Sequence, residues 1–125
     1  MKTSSWKKEE INAIAEEILA LLKLKLNIVC SWGFNKAQAT VYNDMPGLKF
    51  CVNEFFHKGH VMILLNAGAD LYEIFILNLD GSIKEHITDV FFEDVHDIID
   101  EAVEKGKLSQ EEYEEKIGDF LKQAL

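Results

Sequence analysis

Apolar residues near the start of the chain recur with the period of an α-helix. Ile11, Ala15, Ile18 and Leu22 follow one another at i, i+4, i+7 and i+11, which places them on one helical face. Glu9 lies near the start of this segment, where the positive end of a helix dipole favours acidic side chains. We therefore predict an amphipathic N-terminal helix, with a change of pattern around residues 24–27.

The middle of the chain alternates short apolar runs with turn residues, which predicts a β-meander. The predicted strands are Asn27–Phe34, Ala37–Asn43, Leu48–Glu54, His60–Asn66, Leu71–Leu79 and Ser82–Val90. The predicted turns are Pro46-Gly47, which suits a type II turn, Lys58-Gly59, Ala67-Gly68-Ala69 and Asp80-Gly81, the clearest hairpin signal. Because such short loops join successive strands, we expect neighbouring strands to be antiparallel.

Two of the predicted strands are apolar on both faces. In His60–Asn66, for example, the consecutive residues Val61 and Met62 are both apolar although they face opposite sides, and Leu71–Leu79 shows a similar pattern. Such strands are typical of the centre of a sheet that is covered on both sides. We expect helices to cover one face and a second copy of the protein to cover the other.

Helical spacing returns towards the end of the chain. One amphipathic stripe consists of Val95, Ile98, Ile99, Ala102 and Val103. A second predicted helix spans residues 109–124, after a helix-ending Gly106 and a capping pattern of Ser109 and Glu112. The prediction is therefore a single α+β domain over residues 1–125. Its antiparallel β-meander has five to six strands, with one N-terminal helix and two C-terminal helices.

The charge of the chain excludes several classes of function. The 125 residues carry a net charge of −9, and none of the 13 basic residues is arginine. Residues 89–125 alone hold 12 acids and 4 lysines. Nucleic-acid binders usually present a basic surface rich in arginine, so direct nucleic-acid binding is disfavoured. The sequence shows no signal peptide and no apolar run of membrane-spanning length, so we expect a cytoplasmic protein that does not bind membranes.

A run of acidic residues is the most conspicuous feature outside the predicted core. Glu93, Asp97, Asp100 and Glu104 are spaced at i, i+4, i+7 and i+11, opposite the apolar stripe, with Glu101 beside them. The plainer interpretation is a solvated helix face of an acidic protein. The functional alternative is docking to a basic partner, including mimicry of a nucleic-acid backbone. The spacing does not match a calcium-binding loop, and no metal site is predicted.

Histidine and cysteine side chains are weaker candidates for chemistry. His57 and His60 flank the predicted Lys58-Gly59 turn, and a zinc site there would need further ligands, such as Cys51 from a neighbouring strand. Exposed turn histidines are the plainer interpretation. Cys30 and Cys51 lie in apolar runs, so we expect them to be buried, reduced and inert; the alternative is a cysteine nucleophile with a histidine beside it in the fold. No enzyme motif is recognisable, and the sequence predicts neither catalysis nor a cofactor.

Aromatic residues occur in pairs along the predicted sheet. Phe55-Phe56 and Phe91-Phe92 lie at predicted strand ends, and Trp32 and Phe34 share a predicted strand. Such pairs usually close the rim of a core. If they are exposed instead, they form an apolar contact patch for a partner or a second subunit. Trp6 is expected to pack at the start of the N-terminal helix.

Four short motifs follow one another in the second half of the chain: Asp70-Leu71-Tyr72-Glu73-Ile74, Asp80-Gly81, Asp89-Val90 and Ile98-Ile99-Asp100-Glu101. With these motifs, the segment from about residue 48 to residue 105 resembles small uncharacterised proteins carried by phages and conjugative elements of gut bacteria. It implies an accessory role in mobile-element biology and transfers no catalytic residue.

The leading functional hypothesis is a non-enzymatic protein-interaction module that self-associates, with a dimer favoured. One alternative is an acidic inhibitor or DNA mimic that binds a basic protein partner through the run from Glu93 to Glu104. The other is a small-ligand or metal-binding protein that uses His57, His60 or Cys51.

Overall fold

The computed structural model describes residues 6–53 and 58–105. Its elements are helices α1 (Lys8–Lys23) and α2 (Leu26–Ser31), strands β1 (Asn35–Tyr42), β2 (Met45–Asn53), β3 (Lys58–Asn66), β4 (Leu71–Asn78) and β5 (Ile83–Val90), a 3₁₀ turn (Phe92–Asp94), helix α3 (Val95–Asp100) and a π-helical segment (Glu101–Lys105). The predicted helix over 109–124 and the Phe55-Phe56 pair lie outside the described residues. No helix within 6–53 and 58–105 is long and apolar enough to cross a membrane.

The five strands form one antiparallel sheet in the order β1-β2-β3-β4-β5, so the predicted α+β meander is confirmed. The predicted Asp80-Gly81 hairpin is also confirmed. Gly81 adopts a φ of 90°, and its N–H donates to the carbonyl oxygen of Asn78 at 2.9 Å. Glycine reaches this positive φ without the strain that a Cβ atom adds. This meander places β3 at the centre of the sheet and leaves β1 and β5 as its edges.

The predicted strand Asn27–Phe34 is wrong, because most of it is the short helix α2. Val29 and Trp32 are three residues apart and both buried, which is helical rather than alternating spacing. Gly33 follows with a φ of 70°, the left-handed conformation that commonly ends a helix. Tertiary burial of these side chains therefore overrides the β-propensity of the sequence Ile28-Val29.

Pro46-Gly47 belongs to β2 and does not form the predicted turn. The turn between β1 and β2 is made by Asn43 and Asp44, whose φ values of 51° and 58° are typical of a type I′ hairpin. Asparagine and aspartate tolerate this left-handed conformation better than most residues. Gly47 is required for a different reason, since a Cβ there would overlap the backbone carbonyl of Ile63 in β3. The glycine therefore permits close approach of two strands.

Lys58-Gly59 likewise begins β3 instead of forming a turn. Gly59 is paired with Val52 of β2 on one side and with Asn78 of β4 on the other. Consequently His60 lies inside a strand.

One face of the sheet is covered by the helices. Its central side chains are fully buried and belong to one cluster with residues of α1 and α3; they are Val61, Ile63, Ile74 and Ile76 from the sheet, Ile18 and Leu22 from α1, and Ile99 from α3. The predicted apolar stripes of these helices are therefore the surfaces that pack against the sheet.

The opposite face also buries apolar side chains, in agreement with the predicted two-sided character of the central strands. A second cluster consists of Met62, Leu64, Phe75 and Leu77, which are at most 5% exposed, with Met45 packed against it. The ring of His86 stacks on Phe75 at 3.9 Å. The central strands thus have apolar packing on both sides.

A polar cluster inside the helix layer joins α1, α2 and α3. Trp32 is fully buried, stacks on Phe50 with ring centroids 6.4 Å apart, and donates its indole N–H to Oδ1 of Asp100 at 3.0 Å. Buried His96 donates from Nε2 to the carbonyl oxygen of Leu22 at 3.0 Å, near the end of α1. We call these five residues the Trp32 joint.

The indole of Trp6 lies at the β1–β2 turn. Its Nε1–H donates to the carbonyl oxygen of Asp44 at 2.7 Å. At the start of α1, a side-chain oxygen of Glu10 instead accepts from the backbone N–H of Lys7 at 3.0 Å. Trp6 therefore connects the beginning of the described chain to the sheet.

Candidate docking site

Strand β5 ends in a bulge that determines the direction of the residues after it. Ile87 pairs with Ile74 and Val90 pairs with Tyr72, so β5 contains one more residue than β4 over this interval. Asp89 adopts a left-handed φ of 56° within the bulge. As a result Val90, rather than Asp89, enters the core, where it is 2% exposed.

The aromatic pair that follows the bulge is exposed. Phe91 is 56% exposed and Phe92 is 61% exposed, so the expectation that this pair closes the rim of the core is wrong. The two rings border a shallow cavity of about 240 Å³. Its lining consists of Leu65, Asp70, Leu71, Tyr72, Val90, Phe91 and Phe92, which we call the Phe91–Phe92 patch.

Acidic residues occur at this patch and next to it in the chain. The pKa of the Tyr72 hydroxyl lies above its usual value of 10.0, because burial disfavours the phenolate and because the carboxylates of Glu17 and Asp70 repel its negative charge. Further exposed acids lie next to the aromatic pair in the chain; they are Asp89, Glu93 and Asp94. The patch therefore combines exposed aromatic rings with a negative electrostatic potential.

The predicted acidic run is divided by the structure. Glu93 is exposed in the 3₁₀ turn, and Asp97 and Glu101 are exposed in α3 and in the π-helical segment. Asp100 is half-buried and accepts the hydrogen bond from Trp32, so it belongs to the Trp32 joint. The side chain of Glu104 lies outside the described residues. Regular α-helical spacing holds only over Val95–Asp100, so the acids do not form one continuous helical stripe within the described residues.

The structure brings Cys51 and His60 together. They are cross-strand partners on β2 and β3, and the Sγ atom of Cys51 lies 3.3 Å from Nδ1 of His60. Both side chains are half-buried, whereas Cys30 is exposed on α2, so the expectation that both cysteines are buried is wrong. His57 lies outside the described residues. No group of three or more potential metal ligands is found within residues 6–53 and 58–105.

The positions of Leu65, Leu71 and Tyr72 beside the aromatic pair were not predicted from the sequence. The order of the meander was an available signal, because the end of β3 and the start of β4 must lie near the end of β5. The bulge at Asp89, which turns the rings outwards, had no clear sequence signal. No protein-family model, curated protein or solved structure matches the chain. The function proposed below therefore depends on the arrangement of the described residues.

Proposed function

We propose that this protein is a non-enzymatic interaction module that binds a basic segment of a partner protein at the Phe91–Phe92 patch. The observation that carries the proposal is the exposure of two consecutive phenylalanine rings beside a cavity and among carboxylates. Clustered aromatic side chains that face water are typical of surfaces that become buried in a complex. The surrounding acids favour a partner with lysine or arginine side chains next to its apolar contact residue.

The size of the cavity supports a side chain as its occupant. Its volume of about 240 Å³ is below the range of roughly 300–1,000 Å³ that is usual for small-molecule sites. One apolar side chain of a partner, inserted between the rings, is a better match to this space. The net charge of −9 also speeds the approach of a basic partner over long range.

The same features disfavour two other occupants. A second copy of this chain, placed with its patch against the first, would bring Asp70 and the neighbouring acids of both copies together. Mimicry of a nucleic-acid backbone would use regularly spaced charges without an apolar centre. In this protein Asp70 instead lines the cavity together with Phe91 and Phe92, so we propose apolar docking with an electrostatic contribution. An accessory role in mobile-element biology is compatible with such binding.

Peptide binding tests the apolar part of the proposal. The probe is a fluorescent helical peptide with lysines on one face and leucines on the other, and its anisotropy reports binding. We expect the Phe91→Ala, Phe92→Ala double variant to bind at least about tenfold more weakly than the wild type. The matched control is Leu24→Ala with Leu26→Ala, because these leucines are 76% and 54% exposed at the α1–α2 junction. Equal losses in both double variants would contradict docking at the patch.

Charge substitutions test the electrostatic part. Asp70→Asn removes the carboxylate that lines the cavity and is expected to lower the affinity several-fold and to weaken its dependence on salt concentration. Asp97→Asn is the control, since Asp97 is exposed on α3 but does not line the cavity. A lysine peptide in which glutamine replaces leucine should bind weakly to all variants. If it binds as well as the amphipathic peptide, attraction is only electrostatic and the docking proposal is wrong.

Self-association, with a dimer favoured, stays a prediction. The central apolar residues of both sheet faces are already buried within one chain, which reduces the surface available for a second copy. Strands β1 and β5 have irregular pairing with their neighbours, and bulges hinder the addition of further strands at a sheet edge. The molar mass from light scattering at micromolar concentration decides the question. A mass equal to one chain would exclude a dimer at that concentration.

We also propose that the protein works in the cytoplasm. Cys30 is exposed and neither described cysteine forms a disulfide, which suits a reducing compartment. Fractionation of the native cell with an antibody against the protein tests this location. Recovery from the membrane or extracellular fraction would contradict it.

A further inference from the structure

The Cys51–His60 pair carries a second inference that is independent of the docking proposal. The pair lies on the sheet face opposite α1 and α3, where the register sets the two side chains directly across from each other. The distance of 3.3 Å between Sγ and Nδ1 is within hydrogen-bonding reach of a thiol and an imidazole. An imidazole in this position is able to accept the thiol proton when the sulfur reacts.

A cavity of about 480 Å³ lies on the same face of the sheet, and its lining residues do not include Cys51 or His60. Lys49, Met62 and Leu77 are among its lining residues. Lys49 precedes Cys51 by two residues on the same face of β2, which separates their Cα atoms by about 7 Å. Met62 follows His60 by two residues on β3, and Leu77 is the cross-strand partner of His60 on β4. Cys51 and His60 are therefore sheet neighbours of residues that line a cavity large enough for a small molecule.

Lys49 gives this cavity a positively charged group. Its cross-strand neighbours, Gln38 on β1 and Met62 on β3, are both uncharged. The lysine is half-buried, so its aliphatic stem contributes to the wall while its ammonium group supplies the charge. Thr40 and Ser82 add hydroxyl groups to the lining. A small molecule with a carboxylate group matches this combination of charge and hydrogen-bonding groups.

We propose that Cys51 is a nucleophilic modification site for small electrophiles that carry a carboxylate, with His60 as the base and Lys49 as the carboxylate-binding residue. In the reaction, Sγ of Cys51 forms a bond to the electrophilic carbon, and the thiol proton moves to Nδ1 of His60. With an α-halo acid, the halide leaves with the electron pair of the broken carbon–halogen bond. Water then removes the proton from the imidazole, so the only lasting change is a thioether on Cys51.

Competitive alkylation tests the proposal in the intact protein. Iodoacetamide is the neutral probe, iodoacetate is the anionic probe, and peptide mass spectrometry measures the rate at each cysteine. Exposed Cys30 is the internal control, because exposure alone predicts that it reacts faster than half-buried Cys51. We expect the opposite order in the folded protein, with Cys51 several-fold faster, and near-equal rates in concentrated urea.

Two variants separate the roles of the neighbouring side chains. His60→Gln is expected to lower the rate at Cys51 by at least about tenfold with both probes, because the base is lost, and to leave Cys30 unchanged. Lys49→Gln is expected to slow iodoacetate several-fold at Cys51 while iodoacetamide reacts at its former rate. Circular dichroism of each variant verifies the fold.

Specific results would overturn the inference. If Cys51 of the folded wild type is alkylated more slowly than Cys30, the neighbouring side chains do not activate its thiol and the proposal is wrong. An unchanged alkylation rate at Cys51 in folded His60→Gln would show that His60 is not the base. Equal slowing of both probes in Lys49→Gln would show that Lys49 does not bind the carboxylate of the electrophile.

Discussion

Two regions of this protein combine aromatic rings with carboxylates, and they use the combination differently. In the Trp32 joint, the indole is fully buried and its N–H donates to Asp100 at 3.0 Å. In the Phe91–Phe92 patch, the rings are more than half exposed and phenylalanine offers no hydrogen-bond donor to the nearby acids. The first arrangement satisfies its polar groups within the chain, whereas the second leaves both rings and charges available to another molecule.

The comparison shows that composition alone does not distinguish a stabilising cluster from a binding surface. Asp100 and Asp97 lie on the same short helix, but among residues 6–53 and 58–105 only Asp100 of the two accepts a hydrogen bond from a buried side chain. The distinguishing property is whether the partners of each group lie inside the fold. Substitutions in the Trp32 joint should therefore change the free energy of unfolding, and substitutions in the patch should change binding.

The largest expected effect comes from Trp32→Ala. Removal of this fully buried ring leaves a cavity against Phe50 and should lower the free energy of unfolding by about 3–5 kcal/mol, measured by urea denaturation. Phe92→Ala is the comparison and should lower it by less than about 1 kcal/mol, because the ring is largely exposed. If Trp32→Ala does not fold, Trp32→Phe gives a smaller loss that remains measurable. Similar losses of stability for Trp32→Ala and Phe92→Ala would contradict the distinction between a stabilising cluster and a binding surface.

Asp100→Ala is expected to have the next largest effect. Without the carboxylate, the N–H of fully buried Trp32 loses its acceptor, which should lower the free energy of unfolding by about 1–3 kcal/mol. The matched control is Asp97→Ala on the same helix, whose exposed side chain should contribute within about 0.5 kcal/mol. Urea denaturation at neutral pH compares the two. A loss at Asp97 equal to that at Asp100 would mean that the hydrogen bond does not determine stability.

Much of the fold could be predicted from the sequence, because periodicity reports burial. The N-terminal helix, the meander and the Asp80-Gly81 hairpin follow from spacing and from one turn glycine. Helix α2 could not be predicted in the same way, since its six residues are too few to establish a helical period. The β1–β2 turn was missed because Asn43-Asp44 is a weaker signal than the adjacent Pro46-Gly47.

The candidate sites were less predictable, since they depend on register. The contact between Cys51 and His60 requires the pairing of β2 with β3, and the intervening segment has no turn signal that sets its length. The exposure of Phe91 and Phe92 requires one extra residue in β5. Without the bulge, alternation from Ile87 would direct Asp89 towards the core and reverse the faces of the residues that follow. Residue types alone do not reveal such a shift.

Substitutions at Asp89 test whether the bulge maintains the patch. Asp89→Val places a β-branched side chain at a φ of 56° and should lower the free energy of unfolding by about 1–2 kcal/mol. Asp89→Gly is the control and should change it by less than about 1 kcal/mol, because glycine adopts this conformation readily. Peptide binding should weaken in the valine variant at concentrations where it remains folded. Equal stability of the two variants would argue against a left-handed residue at this position.

The smallest expected effect concerns Tyr72, whose titration reports the negative potential of the patch. Burial is the main reason that its pKa exceeds 10.0, followed by Glu17 and Asp70, so Asp70→Asn should lower the pKa while leaving it above 10.0. The difference in absorbance at 295 nm between each protein and its Tyr72→Phe counterpart isolates this hydroxyl from the other tyrosines.

The sign of the linked stability effect follows from the raised pKa. Folding favours the protonated hydroxyl of Tyr72. Its contribution to the free energy of unfolding is therefore complete below pH 10.0 and is lost as the pH rises through the higher folded-state pKa. The wild type should therefore lose stability above pH 10 more steeply than Tyr72→Phe does. A bound peptide with arginines in place of the lysines should lower the pKa of Tyr72, because guanidinium groups stay charged above pH 10 and stabilise the phenolate. An unchanged pKa with this peptide at saturation would place its bound arginines away from the patch, even if the affinity is high.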